Sequence, residues 1–382
     1  MKKILTLLLC AAMLFSLAAC SNGGTNAGTS ESTIKKVALV TDVGTIDDES
    51  FNQACWQGVE AWCKDNKIDY TYYQPSEDST DARVTSIDQA VKEGANVIVM
   101  PGYLFGTTLL EVQDNYPEVY FLAIDVAEGD LTYDYQTYYE PSANAVCISF
   151  AEEQAGYLAG YAAVKDGYTN LGFLGGMAVP AVVRYGEGFV QGCDAAAAEM
   201  KQNIQINYWY GGQFFGDANI TAKMDGWYGD GTQVVFACGG GIYTSALEAA
   251  LNHNGMVIGV DVDQHYIGNA KNEDGTAKYA YNPFLTSAMK GLQNVTETAL
   301  GDLQDGKWKD NYSGKFLKFS LNEGDYVGLP TAEDSWAFKT FTTDEYEAVV
   351  SKIKDGTIKI DNNSDAAKMP TVSEYTTVNV IS

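Results

Sequence analysis

Asp42, Asp47, Asp48 and Glu49 crowd into the stretch VALVTDVGTIDDESFNQ (37–53), with Phe51 and Asn52 directly after them. Carboxylates at this density accept hydrogen bonds from hydroxyls, amines and ring N–H groups, and they repel phosphate. The elements that must position them can be read from their flanks. Val37 to Val40 is a short apolar run of the length and β-branching of a buried strand, and Thr41 to Thr45 reads as the loop after its carboxyl end. Phe51, Ala54, Cys55, Gly58, Val59 and Trp62 then follow the i, i+3, i+4, i+7 rule of an amphipathic helix. Strand, loop, helix N-terminus is where open α/β sheets bind small ligands. The same residues also support a purely structural role. Asp48 and its neighbours would cap the helix and offset its dipole, with Phe51 as the first rung of the core stripe.

The whole chain narrows the function classes. Its 382 residues suffice for two domains, and a 46% hydrophobic composition with 25 Tyr and 6 Trp is globular. A formal charge of −26 excludes nucleic acid as a partner and argues against adsorption to anionic lipid through the folded surface. Residues 1–19 read as a signal peptide, with Lys2-Lys3 ahead of the apolar Ile4 to Phe15. Leu17-Ala18-Ala19-Cys20 closes it as a lipobox, making Cys20 the lipidated first residue of an extracytoplasmic protein held to the bacterial cell membrane by its lipid anchor alone. Residues 20–34 are the lipidated Cys and a Gly/Ser/Thr/Asn-rich flexible tether. The apolar run is shorter than the roughly 20 residues of a membrane span. Of the seven cysteines, Cys10 is in the signal; Cys55, Cys63, Cys147, Cys193 and Cys238 lack a pairing pattern and are expected to be small buried hydrophobes. His253 and His265 are the only histidines, which excludes a multi-histidine metal site; neither a metal nor a cofactor is expected.

Along the chain, apolar strands and amphipathic helices alternate as βαβαβ through about residue 126, and a second α/β set runs from Ala145 to Asp261. Two similar lobes are expected, joined by hinge strands, since no Pro/Gly-rich linker separates them. Residues 286–301, TSAMKGLQNVTETALG, read as one further amphipathic helix.

TDVGTIDDESFNQ (41–53) resembles the signature of the basic-membrane-protein family of substrate-binding lipoproteins, whose best-known members bind purine nucleosides. The resemblance runs from about residue 36 into the 340s. It implies the type I periplasmic-binding-protein fold, an α/β architecture of two Rossmann-like lobes with parallel sheets, and a chain that crosses between lobes three times. The N-terminal lobe would be 35–144 plus about 283–314, and the C-terminal lobe 145–282 plus about 315–360, with 361–382 a polar C-terminal tail. It also implies ligand-binding positions: Asp42 and Asn52 in the signature, Asp125 at a strand end, Phe215 in GGQFFGD, Asp261 in VIGVDVDQ and Lys290 in LTSAMKG. The adjacent Phe214 leaves the register in GGQFFGD open. Phe51 from one lobe and Phe215 from the other could sandwich a purine. Asp42, Asn52 and Asp125 would read its edge, and Asp261 with Lys290 would hold the ribose. The chain departs from the family pattern at Gly239-Gly240-Gly241-Ile242-Tyr243 and in the aromatics Trp209, Trp227 and Tyr228.

The implied function is a monomeric receptor that hands a nucleoside to an ABC-type permease. Another flat heteroaromatic ligand such as a flavin is the alternative, because stacking alone does not choose the ring. An enzyme is not expected. The aspartates of 42–48 lack the preceding Asp and the Pro-Gly spacing of a nucleoside hydrolase's calcium cluster, and no G-x-S-x-G, H-E-x-x-H or P-loop occurs. A surface lipoprotein of purely adhesive function would have no closed aromatic cleft.

Overall fold

The computed structural model describes residues 33–381. Residues 1–32, where the signal peptide, the lipidated Cys20 and most of the tether are expected, lie outside the described residues. Among those described, no helix is long and apolar enough to cross a membrane.

The chain begins β1 (Lys36–Val40), α1 (Phe51–Asn66), β2 (Asp69–Tyr73), α2 (Thr80–Lys92), β3 (Val97–Pro101), α3 (Phe105–Val112), β4 (Tyr120–Ile124) and β5 (Ala145–Phe150). It continues with α4 (Glu152–Lys165), β6 (Asn170–Gly175), α5 (Pro180–Met200), β7 (Ile204–Tyr210), α6 (Ala218–Gly229), β8 (Val234–Cys238), α7 (Tyr243–His253), β9 (Met256–Asp261) and the short α8 (His265–Gly268). β10 (Phe284–Lys290), α9 (Leu292–Gln304), α10 (Trp308–Asn311), β11 (Lys315–Phe319), β12 (Val327–Gly328), α11 (Thr343–Lys354) and β13 (Thr376–Val380) follow.

Two sheets result. The first is six-stranded in the order β11-β5-β4-β3-β1-β2, and the second seven-stranded in the order β12-β10-β9-β8-β6-β7-β13. Every pairing is parallel except that of β10 with β12. Parallel strands covered by helices on both faces are apolar throughout, and β3 and β8 are buried at every position. In the second lobe α4 and α5 pack backbone to backbone. A Cβ at Gly192 of α5 would stand 2.0 Å from the Tyr157 carbonyl oxygen, and one at Gly156 of α4 would stand 2.2 Å from that of Tyr185. Cys55, Cys63, Cys147, Cys193 and Cys238 are all free and buried.

The sheets trade partners one strand later than the boundaries read from sequence. β5 and β11, expected in the second lobe, pair with each other in the first sheet. β10, expected in the first, pairs with β9 in the second. A buried apolar run does not announce which sheet it joins, and the chain crosses over at the residues that follow: Ala151, Gly291, and the segment between Phe319 and Val327. The helix expected over 286–301 is likewise strand β10 through Lys290 and helix α9 only after Gly291. The segment expected as a polar C-terminal tail contributes β13, which pairs along β7 at the sheet edge.

Candidate functional site

A cleft lies between the two lobes. It is built where strands end. Asp42 follows β1, Gly102 follows β3 and Asp125 follows β4, while Gly239, Asp261 and Lys290 stand at the ends of β8, β9 and β10. Two open sheets therefore present their carboxyl ends to one space, as ligand sites in such folds do.

The N-terminal turn of α1 forms one wall. Asp48 Oδ1 accepts from the backbone N–H groups of Ser50 (2.9 Å) and Gln53 (3.1 Å), and its Oδ2 from that of Asn52 (3.0 Å). Asp48 is thus the helix cap, and it lines the cleft as well. The Asn52 amide group donates to Asp42 Oδ1 at 3.1 Å and to Asp48 Oδ2 at 3.3 Å, which fixes its orientation. Asn52 Oδ1 is left buried without a partner. A buried acceptor without a donor is unfavourable until a ligand supplies one. Burial pushes the Asp42 and Asp48 carboxyls up, against the hydrogen bonds they accept.

Lys290 is the hub of the opposite side. Its Nζ lies 2.5 Å from Asp125 Oδ2, 3.6 Å from Glu152 Oε1 and 3.8 Å from Asp261 Oδ1, and 4.7 Å from the centroid of the Phe51 ring. Burial alone would lower the ammonium's pKa. Asp125, Asp261 and Glu152 outweigh it and hold Lys290 above the ordinary lysine range. Burial raises the Asp125 carboxyl to about 6 despite Lys290, and its Oδ1 has no partner. Asp261 accepts from Ser50 Oγ at 2.6 Å across the lobes. Asp125 (φ 63°) and Asp261 (φ 68°) both occupy the left-handed region at corresponding strand ends. Non-glycine residues held there are concentrated at functional sites, where surrounding structure imposes the strain.

The cleft gathers Asp42, Phe51, Asn52, Asp125, Asp261 and Lys290, but Phe215 is not among its lining residues. Phe215 is 60% exposed, and the ring that enters the cleft is Phe214. Phe214 lies in a bend and Phe215 forms an isolated bridge with Gly241, so the two adjacent rings meet different surroundings. Glycine makes the room: a Cβ at Gly176 would stand 2.5 Å from Phe214 Cδ1, and one at Gly239 2.9 Å. The Gly239-Gly240-Gly241 run that departs from the family pattern is therefore the bed of this ring.

Three contributors went unread in the sequence. Tyr185 lines the cleft with its hydroxyl buried and unpartnered. Behind it, Glu152 Oε2 accepts from Arg184 Nε at 2.7 Å. Both lie near helix starts, where Glu152 looks like dipole compensation and Arg184 carries no local sign of a partner. The only available signal was that VPAVVRYG (179–186) and AEEQAG (151–156) follow strand ends as the signature does.

Facing sheets, hinge crossings and an interlobe cleft define a two-lobed solute-binding fold of the type I periplasmic-binding-protein kind. A solute-binding protein of an ABC transporter system from Aeropyrum pernix K1 shares it with a TM-score of 0.69, over 87% of this chain and 95% of that one, at 20% sequence identity. The family model of PnrA-like ABC transporter substrate-binding proteins matches residues 35–364, and the chain belongs to that family. It is 30% identical over 311 residues to the ABC transporter nucleoside-binding protein BmpA of Lactococcus lactis, covering 78% of this chain and 82% of that protein. It is also 29% identical to the CD4+ T-cell-stimulating antigen of Listeria monocytogenes, over 85% of this chain and 87% of that protein.

Proposed function

We propose that this chain is a lipid-anchored, extracytoplasmic receptor that closes two lobes on a purine nucleoside and delivers it to the permease of an ABC importer. The carrying observation is that Phe51 of one lobe and Phe214 of the other line a cleft whose open polar atoms are mainly acceptors around one cation. A purine has two π-faces for such rings, and a ribose has vicinal hydroxyls for a carboxylate and an ammonium. Asp42 and Asn52 read the base edge; Asp125, expected from the resemblance at that edge, is paired with Lys290 and joins it and Asp261 on the sugar. The lobes are 33–150 with 292–319, and 152–290 with 320–381, and the receptor acts as a monomer. The similarity to the nucleoside-binding protein of Lactococcus lactis supports the nucleoside, and Leu17-Ala18-Ala19-Cys20 supports the anchor.

A carboxylate-lined cleft disfavours a second anion, so the 5′-phosphate of a nucleotide is excluded. Calorimetry on the soluble domain is expected to give strong binding for guanosine, inosine or adenosine, and at least a hundredfold weaker binding for the matching 5′-monophosphate. Native mass spectrometry should show the carried-over ligand. Absence of heat with all three nucleosides would overturn the reading, and a bound flavin would move it to that ligand class.

A further inference from the structure

We infer that Glu152 and Arg184, neither of which lines the cleft, position Lys290 for the sugar of the bound ligand. This rests on the nucleoside reading above. Of the three carboxylates around the Lys290 ammonium, Asp125 and Asp261 line the cleft, so ligand hydroxyls can compete for them. Glu152 is 0% exposed and lies behind the ammonium. It is the counter-charge a ligand cannot reach.

The Glu152 carboxylate is itself held. Its Oε2 takes the Arg184 Nε–H at 2.7 Å, and its Oε1 has no hydrogen-bond partner and faces Lys290 from 3.6 Å. Burial opposes its charge, but Arg184 and Lys290 together keep it below the ordinary carboxylate range. A fixed negative charge on the far side keeps the ammonium cationic and aimed while its two nearer partners are engaged by ligand.

The placement in the chain is as telling as the distances. Glu152 opens α4 directly after the crossing at Ala151, and Lys290 ends β10 directly before the crossing at Gly291. Arg184, from the second turn of α5, therefore ties two neighbouring hinge segments and the sugar-reading lysine into one unit. A plain structural ion pair would affect folding and leave the choice between nucleoside and free base untouched. The positioning role affects that choice.

The test compares guanosine with guanine, by calorimetry, on the parent and on two variants. Glu152→Gln/Arg184→Met removes both charges together, so that neither is left bare in the core. Arg184→Lys keeps a cation beside Glu152 but loses the fixed Nε contact. Guanine affinity is expected to stay within about threefold of the parent in both. The guanosine-to-guanine affinity ratio should fall about tenfold or more in the double variant and by less in Arg184→Lys, which also serves as the readout should the double variant not fold. A parent that prefers guanosine, with the same ratio in every folded variant, overturns the positioning role alone. A parent that binds guanosine no more tightly than guanine overturns the sugar reading and this inference with it.

Discussion

Lys290→Met is expected to weaken nucleoside binding about thirtyfold or more and to melt well below the parent at neutral pH, with the deficit shrinking as the solution is acidified. Removing one partner from a buried ionic cluster costs about 3–5 kcal/mol, because the other charges stay behind without compensation. Here the loss falls unevenly. Glu152 keeps Arg184 and Asp261 keeps the Ser50 hydroxyl, whereas Asp125 has no other hydrogen bond to its carboxylate. The sign of the pH effect follows from Asp125. Burial already holds its carboxyl at about 6, so the folded state binds the proton more tightly than the unfolded chain does. Such a group destabilises the fold increasingly as pH rises from the ordinary carboxylate value through its folded one. Without Lys290 that window extends upward, so melts from pH 5 to 8 should show the largest gap between variant and parent at the alkaline end. A gap independent of pH would mean that Asp125 is not the group left uncompensated. For the ligand, truncating a buried, hydrogen-bonded charge is worth roughly 2–5 kcal/mol, or about thirtyfold and upward in affinity.

Phe214→Ala should weaken nucleoside binding about fivefold to more than a hundredfold while the neighbouring Phe215→Ala stays within about threefold. A stacked base is worth roughly 1–3 kcal/mol by alanine substitution. Phe214 meets the cleft and is cradled by Gly176 and Gly239, whereas Phe215 is mostly in solvent. Calorimetry on the two variants, with an apo melt for each, separates stacking from packing. If Phe215→Ala proved the more damaging for affinity, the ligand would have to stack outside the cleft that the strand ends define.

That pair of residues also shows where sequence reading reaches its limit. Residues at strand ends and at the first turn of α1 are legible, because an apolar run fixes where a strand stops and the next polar residue is what the sheet presents. Asp42, Asn52, Asp125 and Asp261 have that character, and Phe51 begins the helical stripe. Phe214 lies in a bend and Phe215 in an isolated bridge, and nothing local in QFF distinguishes the two rings. Only the glycines opposite, distant in sequence, decide between Phe214 and Phe215. Lys290 lies near the boundary of a segment read as helix, since a short apolar run supports a buried strand as readily as one helical turn. Glu152 and Arg184 are partners only in space: Glu152 alone looks like ordinary helix-terminal charge, and nothing near Arg184 in the chain names its partner.

β13 has a bearing on the protein's behaviour as a solute. Thr376 to Val380 lies along Ile204 to Tyr208 and covers the outer edge of β7, and the Ile381 N–H continues the ladder onto Tyr208. Beneath that cover, β7 reads IQINYWY, a β-prone, uncharged run. Bared, it would offer a row of open N–H and C=O groups to a second molecule. A chain ending at Tyr375 is therefore expected to bind nucleoside within a few-fold of the parent, since β13 is remote from the cleft residues, and to self-associate with rising concentration in light scattering. Loss of the last strand would replace the five-residue β13, the present sheet edge, with the longer and more aromatic edge of β7.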